Sequence, residues 1–328
     1  MKIYICKNHF SPFYTLTLEE IMTKDDENKE DIIYLYQHEN AVIIGRNQNA
    51  YKEVRFDILE KENTELYRRL SGGGAVYHDL GNFNFSFITT NKSQRSYQKF
   101  LEPVLEFLKL QGLDAQFKGR NDLVVNDCKF SGNAQFIYKD KIVHHGTILY
   151  NANLSKLASV LNPSKIKMES KGIKSARQRV INLSDVLEQK IPTSEFIWKF
   201  ALFLKEKYHA EIVEIPEKYI KKIPEFQKIR SSKEWVLGKN PEFSFFSEKK
   251  LDGGILGINA NVKENKITQI KFEGDFLTLL GTEYIEKLLI NQDFEKANIK
   301  KILLMVKNLE NYFGQISVNE IIDIMFGE

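Results

Sequence analysis

The stretch RRLSGGGAVYHDLGNFNFSF, residues 68–87, sets two arginines and a serine ahead of three consecutive glycines, Gly72, Gly73 and Gly74. Glycine lets backbone N–H groups approach an anion closely and adopt positive φ, and oriented amides make an anion-binding concavity without any helix. Arg68 or Arg69 could add a bidentate charge contact. A tight bend alone would also account for the triplet, but the strand-like segment after it carries a polar face, Asn82, Asn84 and Ser86, that is hard to explain as core. A second group lies in GRNDLVVNDCKFSGNAQ, residues 119–135. Lys129 sits there between β-like runs, where a fixed cation can stabilise charge on a phosphate or a reacting carbonyl. Asp122 reads either as a turn or capping carboxylate or as a Mg²⁺ ligand beside a nucleotide. His144 and His145 precede Gly146, and either ring also fits a hydrogen-bonded core position.

Other phosphate and metal devices are missing. The pattern GxxxxGK[ST] is absent, and neither SGGGAV nor DGGILG supplies GxGxxG between a strand and a helix. No HExxH occurs, and adjacent residues of a strand point to opposite faces, so His144 and His145 do not suit one zinc ion.

The elements that must position these groups follow from periodicity. Ser11-Pro12 starts a helix with Tyr14, Leu18, Ile21 and Met22 on one face. DIIYLYQ and AVIIG are expected to form a hairpin across HEN. AVYH and NFNFSFI are expected to form another across DLG, with Phe83, Phe85 and Phe87 sharing one face. A helix over QRSYQKFLEPVLEFLKLQG ends at Gly112, with Pro103 disturbing its start or course. DLVVND, FSGNAQFIY and KIVHHGTILY are strand-like, the last two joined across KDK, so residues 31–150 are dominated by a mixed or antiparallel sheet. Helices and loops occupy 151–209, and SEFIWKFALFLKEKYHAEIVEI reads as helix then strand. SEKKLDGG marks a boundary near residue 248, dividing the chain into 1–247 and 248–328, with Gly253-Gly254 as the joint about which the second part turns.

Composition sets wider bounds. The chain of 328 residues can bury a sizeable core, and its 47 basic and 44 acidic residues nearly cancel to +3. That bias argues neither for nucleic acid nor for a membrane surface. Cys6 and Cys128 form no CxxC, which fits a reducing cytoplasm. Lys7 interrupts the apolar N-terminal run, and no stretch of eighteen apolar residues occurs.

Taken in order, RRLSGGGAVYHDLGN, GRNDLVV, KFSGNAQ, HHGTILYN and ARQRVINL resemble the lipoate protein ligase A family over about residues 10–245. EWVLGKNPEF and the segment after it resemble the family's longer, two-domain form. The resemblance implies an α/β (α+β) catalytic domain of the class II synthetase and biotin-ligase type, built on a largely antiparallel sheet, plus a small α/β accessory domain. It implies that lipoate's carboxylate attacks the α-phosphate of ATP, with Mg²⁺ present, to give lipoyl-adenylate. The acyl group then passes to a lysine of a lipoyl domain, in a 2-oxoacid dehydrogenase complex or the glycine-cleavage H protein. Carried over by position, Arg69 and Gly74, Ala75, Val76 and Tyr77 contact the nucleotide, and Gly72 and Gly73 shape that loop. Lys129 touches acyl carbonyl and phosphate, Asn121 and Asp122 line the adenylate or metal site, and His145 and Gly146 lie along the lipoyl tunnel. Arg179 and Asn182 support a neighbouring loop. Two other functions stay open: an acyl-cysteine transferase working through Cys128, and a binding module without chemistry.

Overall fold

A computed structural model of the chain describes residues 1–90, 95–161, 180–238 and 245–326. In chain order its strands begin with β1 (Lys2–Ile5), β2 (Ile32–Gln37), β3 (Ala41–Ile44), β4 (Glu65–Arg68) and β5 (Val76–His78). There follow β6 (Asn82–Thr89), β7 (Gln116–Lys118), β8 (Asp122–Val125), β9 (Cys128–Tyr138), β10 (Lys141–Leu149) and β11 (Glu211–Ile212). The last three are β12 (Phe245–Leu251), β13 (Gly254–Lys263) and β14 (Lys266–Gly274). Four helices matter for the site: α1 (Pro12–Lys24), α2 (Tyr97–Leu110), α3 (Thr193–Tyr208) and α4 (Ile223–Arg230).

The main sheet has the order β11-β1-β2-β6-β10-β9-β8-β7 and is antiparallel except at β1, which runs parallel to both neighbours. Period-two alternation assigns its faces. Phe83, Phe85 and Phe87 enter one core with Phe100, Val104 and Phe107 of α2 and Phe196 and Phe200 of α3. Each such side chain contributes about 2 kcal/mol by leaving water. The opposite face packs Tyr34 and Tyr36 of β2 against Leu18, Ile21 and Met22 of α1 and Ile223 of α4. Ser11 caps α1, its side chain accepting from Phe13 N, with Pro12 supplying the first turn. Pro103 lies inside α2 without ending it, and Gly112, at φ 82°, follows the helix.

Neither expected hairpin forms. β2 pairs with β6 and β3 pairs with β5, both antiparallel, so the chain leaves the main sheet after β2 and returns to it at β6. In between, β4-β3-β5 makes a small separate sheet. HEN and DLG are therefore crossings between sheets. The β9–β10 hairpin across Lys139-Asp140 forms as expected.

Beyond Phe245, β12-β13-β14 forms a third sheet with its own core of Leu256, Ile258, Phe272, Phe276, Ile299 and Phe313. Residue 248 falls within β12. Gly253 and Gly254 lie in the tight β12–β13 turn, where Leu251 pairs with Gly254, and Gly254 takes φ 130°. They belong to a hairpin inside this unit and are no joint between the two parts. No helix among the described residues is long and apolar enough to cross a membrane.

Candidate functional site

A cavity of about 130 Å³ lies on the α1 side of the main sheet. Its floor follows one row of cross-strand neighbours: Tyr36 on β2 pairs with Asn84 on β6, which pairs with Thr147 on β10. Thr147 Oγ1 in turn accepts from Gly132 N on β9 at 3.2 Å. From β2 to β9 is three strand spacings, about 14 Å. Asn82, Asn84 and Ser86 are buried, so the polar alternation of β6 marks a buried polar floor.

Lys129 stands at the β9 end. Its Nζ lies 2.6 Å from Asp122 Oδ1, with the two side chains 39% and 36% exposed. Gly132 keeps space for it, since a Cβ there would sit 3.1 Å from Nζ. Asn121 ties β8 to β9: its Nδ2 donates to Asn133 O (2.6 Å), and its carbonyl accepts from Asn133 N (3.0 Å). Gly146 is held bare because a Cβ would collide with Asn133 and the Phe85 ring.

The glycine loop roofs the cavity. Arg69 is buried and donates from Nη2 to Gly72 O (2.7 Å) and Gly74 O (2.9 Å), from Nη1 to Ile43 O (3.2 Å) and from Nε to Ser71 Oγ (3.0 Å). Burial lowers its pKa to about 10, which leaves the guanidinium charged at neutral pH. Gly73 adopts φ 92°, and a Cβ on it would lie 2.9 Å from Arg69 Nη2. Around the Cβ direction of Gly74 nothing stands within 4 Å. Arg68 does other work: it donates to the carbonyls of Gly45, Arg46, Gln48, Trp235 and Val236 and fastens the loop's root to the segment after α4.

Two neutral histidines close the β2 end. His38 Nδ1 and His78 Nδ1 are 2.9 Å apart, and Thr15 Oγ1 lies 2.7 Å from His38 Nε2. One of two facing nitrogens must hold a proton and the other a lone pair, so at least one ring of the bonded pair is neutral. Burial drives both pKa values down, that of His78 to about 3 with help from Arg69 and His145. His145 Nε2 lies 2.7 Å from Ser71 Oγ, and its Nδ1 lies 3.0 Å from Glu19 Oε1.

Of the residues expected from sequence, Arg69, Gly73, Gly74, Ala75, Val76, Asn121, Lys129, His145 and Gly146 line this one cavity. Three others lie outside its lining. Gly72 faces the C-terminal unit: a Cβ there would meet Phe276 O and Thr278 N at 2.7 Å, and Gly73 N donates to Phe276 O at 3.2 Å. Tyr77 turns the other way, into a cluster with Val42, Ile44 and Val160, because it alternates with Val76 and His78 on β5. Asp122 is not in the lining and reaches the site only through Lys129. Asn182 brackets Ala152, accepting from its N (2.9 Å) and donating to its O (3.0 Å). Arg179 lies outside the described residues. Cys128 starts β9 beside Lys129 and does not line the cavity.

Sequence reasoning missed Glu19, Ser71, Tyr36, His38 and His78. Strict alternation through AVYH would have chosen His78 over Tyr77. Glu19 and Ser71 had no such signal, because their shared partner His145 is distant in the chain from both.

A family model described as the lipoyl protein ligase A/B catalytic domain matches residues 11–204, and one described as the bacterial lipoate protein ligase C-terminus matches 240–325. The chain is 36% identical to a probable lipoate-protein ligase A of Mycoplasma pneumoniae, over 99% of this chain and 98% of the relative. It is similar, with TM-score 0.84 and 25% identity, to the crystal structure of P. falciparum LipL1 in complex with lipoate, covering 100% of both chains. A lipoate-protein ligase A bound with ATP gives TM-score 0.62 and 27% identity over 72% of this chain and 98% of that one.

Proposed function

The chain belongs to the lipoate protein ligase A family, in its two-domain form, and from that premise we propose that this cavity joins lipoate to AMP and hands the acyl group to a carrier lysine. The observation that carries this reading is the row from Tyr36 to Gly132, which ends at Lys129 in the same cavity that Gly73 and Gly74 of the glycine loop line. Such a trench suits a medium-length acyl chain whose carboxylate reaches Lys129, with phosphate on the loop.

In the first step a carboxylate oxygen attacks the α-phosphorus of ATP, the bond to pyrophosphate breaks, and a mixed anhydride forms. Negative charge gathers on the phosphate oxygens between Lys129 and the loop, where fixed donors stabilise it most. In the second step the amine of a carrier lysine attacks the acyl carbonyl, loses a proton, and AMP leaves. Lys129 acts as a fixed electrostatic group in both and is not itself acylated. Arg69 holds the loop in shape, and the open space at Gly74 is left for the nucleotide.

Mg²⁺ suits this site only as an ion carried by the nucleotide. Among the described residues no group of three or more His, Cys, Asp or Glu side chains could hold a metal. Asp122 supplies the one carboxylate that a phosphate-bound Mg²⁺ commonly takes from protein. It would first have to part from Lys129. When bound there, the ion neutralises charge on the phosphates.

The partner we assign is a lipoyl domain, of a 2-oxoacid dehydrogenase complex or of the glycine-cleavage H protein, and the compartment is the cytoplasm. We place the change from catalytic to accessory unit ahead of Phe245. Lipoate-dependent ATP–pyrophosphate exchange tests the first step. Wild-type protein exchanges, and Lys129→Ala loses roughly 10²–10³-fold while still binding lipoate. Tight lipoate binding with no exchange in wild type would instead identify a binding module. Cys128→Ser stays active, whereas an inactive Cys128→Ser protein, with an acyl group trapped on Cys128 of the wild type, would identify a transferase.

A further inference from the structure

We propose that Glu19, a buried carboxylate on α1, is a positioning residue for adenylate formation, acting through His145 and Ser71 on the Arg69 clamp of the glycine loop. The proposal rests on the reading of this cavity as the adenylation site. Its basis is the direction of every proton in the chain of contacts. Arg69 Nε can only donate, so Ser71 Oγ accepts there at 3.0 Å, which leaves its proton and one lone pair for His145 Nε2 at 2.7 Å. A carboxylate only accepts, so His145 carries a proton on Nδ1, which faces Glu19 Oε1 at 3.0 Å and Oε2 at 3.2 Å, and a neutral ring then takes the Ser71 proton on Nε2. Glu19 also accepts from Ser86 Oγ and, at 3.4 Å, from Tyr36 OH. Donors and acceptors match along the whole relay.

Burial makes that match consequential. Ser71, Glu19 and His145 are only 0%, 3% and 7% exposed. A carboxylate that deep needs donors and a counter-charge. Three donors face Glu19, and the Arg69 guanidinium at the far end of the relay is the counter-charge. The same three residue types make hydrolytic triads. Here the serine is fully buried, already accepts from Arg69 and is not in the cavity lining, so it has no nucleophilic role.

The effect on the reaction runs through peptide geometry. In a trans peptide the C=O of one residue and the N–H of the next point in opposite directions. By gripping Gly72 O and Gly74 O, Arg69 therefore turns the N–H groups of Gly73 and Ala75 away from itself. Gly73 N does point outward, to Phe276 O. Glu19, far away in the chain, thus governs how the loop presents its amides to a phosphate.

The full-length protein is tested with Glu19→Gln, Ser71→Ala and the double variant, with Glu19→Asp as the charge-retaining control. Each single variant should raise KM for ATP in lipoate-dependent exchange by about tenfold while lipoate affinity by calorimetry changes less than about threefold. Glu19→Asp should recover part of the loss. The double variant should be no worse than Glu19→Gln alone, because both cut one relay. Fully additive losses, an unchanged KM for ATP in both single variants, or equal loss of lipoate and ATP binding would overturn the proposal. ¹⁵N NMR of the His145 ring decides the relay without any activity: neutral, Nδ1-protonated imidazole in wild type and an altered tautomer balance in Glu19→Gln support it. An Nε2-protonated ring in wild type overturns it. Wild type with the expected tautomer but no exchange would sink the ligase reading and leave the relay as a purely structural device.

Discussion

At the scale of single residues, the three glycines prove to have three different reasons for being glycine. Gly72 makes room for the C-terminal unit, Gly73 for a left-handed backbone against Arg69, and Gly74 for space that no protein atom fills. Their substitutions should separate accordingly. Gly74→Ala should melt like wild type, within about 0.5 kcal/mol, yet lose adenylate formation. Gly73→Val should lose activity and also roughly 1–3 kcal/mol of stability, since φ 92° is costly for a β-branched residue. Exchange assays and urea melts on the two proteins check this, and an active Gly74→Ala protein would show the open space to be unused. The histidines at the other end predict a pH effect. Burial, aided by Arg69 and His145, takes His78 down to about 3, against about 6.5 in an unfolded chain. Between those values the unfolded state binds a proton that the native state refuses. Stability contributed by the neutral ring is thus present above pH 6.5 and falls as pH drops towards 3, by up to about 1.4 kcal/mol per pH unit for one proton. His78→Gln should flatten that slope in melts at pH 7, 5.5 and 4.5; an unchanged slope would deny His78 the effect.

At the scale of elements, alternation and partner choice behaved differently. Gly146 sits where β10 passes Asn133 and Phe85, and Gly146→Ala should cost about 1–3 kcal/mol through overpacking in that layer. A melt within about 0.5 kcal/mol of wild type would mean that the strands yield. The faces of β6 were legible in NFNFSF, because side chains alternate whatever strand lies alongside. The partners of β2, β3, β5 and β6 were not. HEN and DLG announce changes of direction, but the β2–β6 and β3–β5 pairings join segments some 35 to 50 residues apart, and no local turn signal encodes them. The same limit hid Glu19, which meets His145 across 126 residues. Lys129 and Asp122, by contrast, meet across a short β8–β9 connection that is local in the sequence.

At the scale of the whole molecule, the C-terminal unit is in direct contact with the glycine loop and the segment after β3. Phe276 O takes the Gly73 N–H that a phosphate would claim, Asn47 Nδ2 donates to Thr278 Oγ1 (3.3 Å), and Arg46 pairs with Glu283 (3.1 Å). Binding of the adenylate to Gly73 therefore competes with this arrangement, and the two units should be oriented differently in crystals with and without it. Closely similar orientations would remove the idea that the accessory unit turns between the half-reactions. The glycine pair at 253–254 gave no guide to this movement, since its conformation serves a hairpin. Our central claim is that one cavity holds a mixed anhydride of lipoate and AMP, with its phosphate between Lys129 and the glycine loop. A crystal structure with a non-hydrolysable lipoyl-adenylate analogue tests it most directly. We predict the acyl chain along the Tyr36–Gly132 row and the Lys129 ammonium within hydrogen-bonding reach of the phosphate; an analogue bound elsewhere, or Lys129 directed to solvent away from it, would contradict the account.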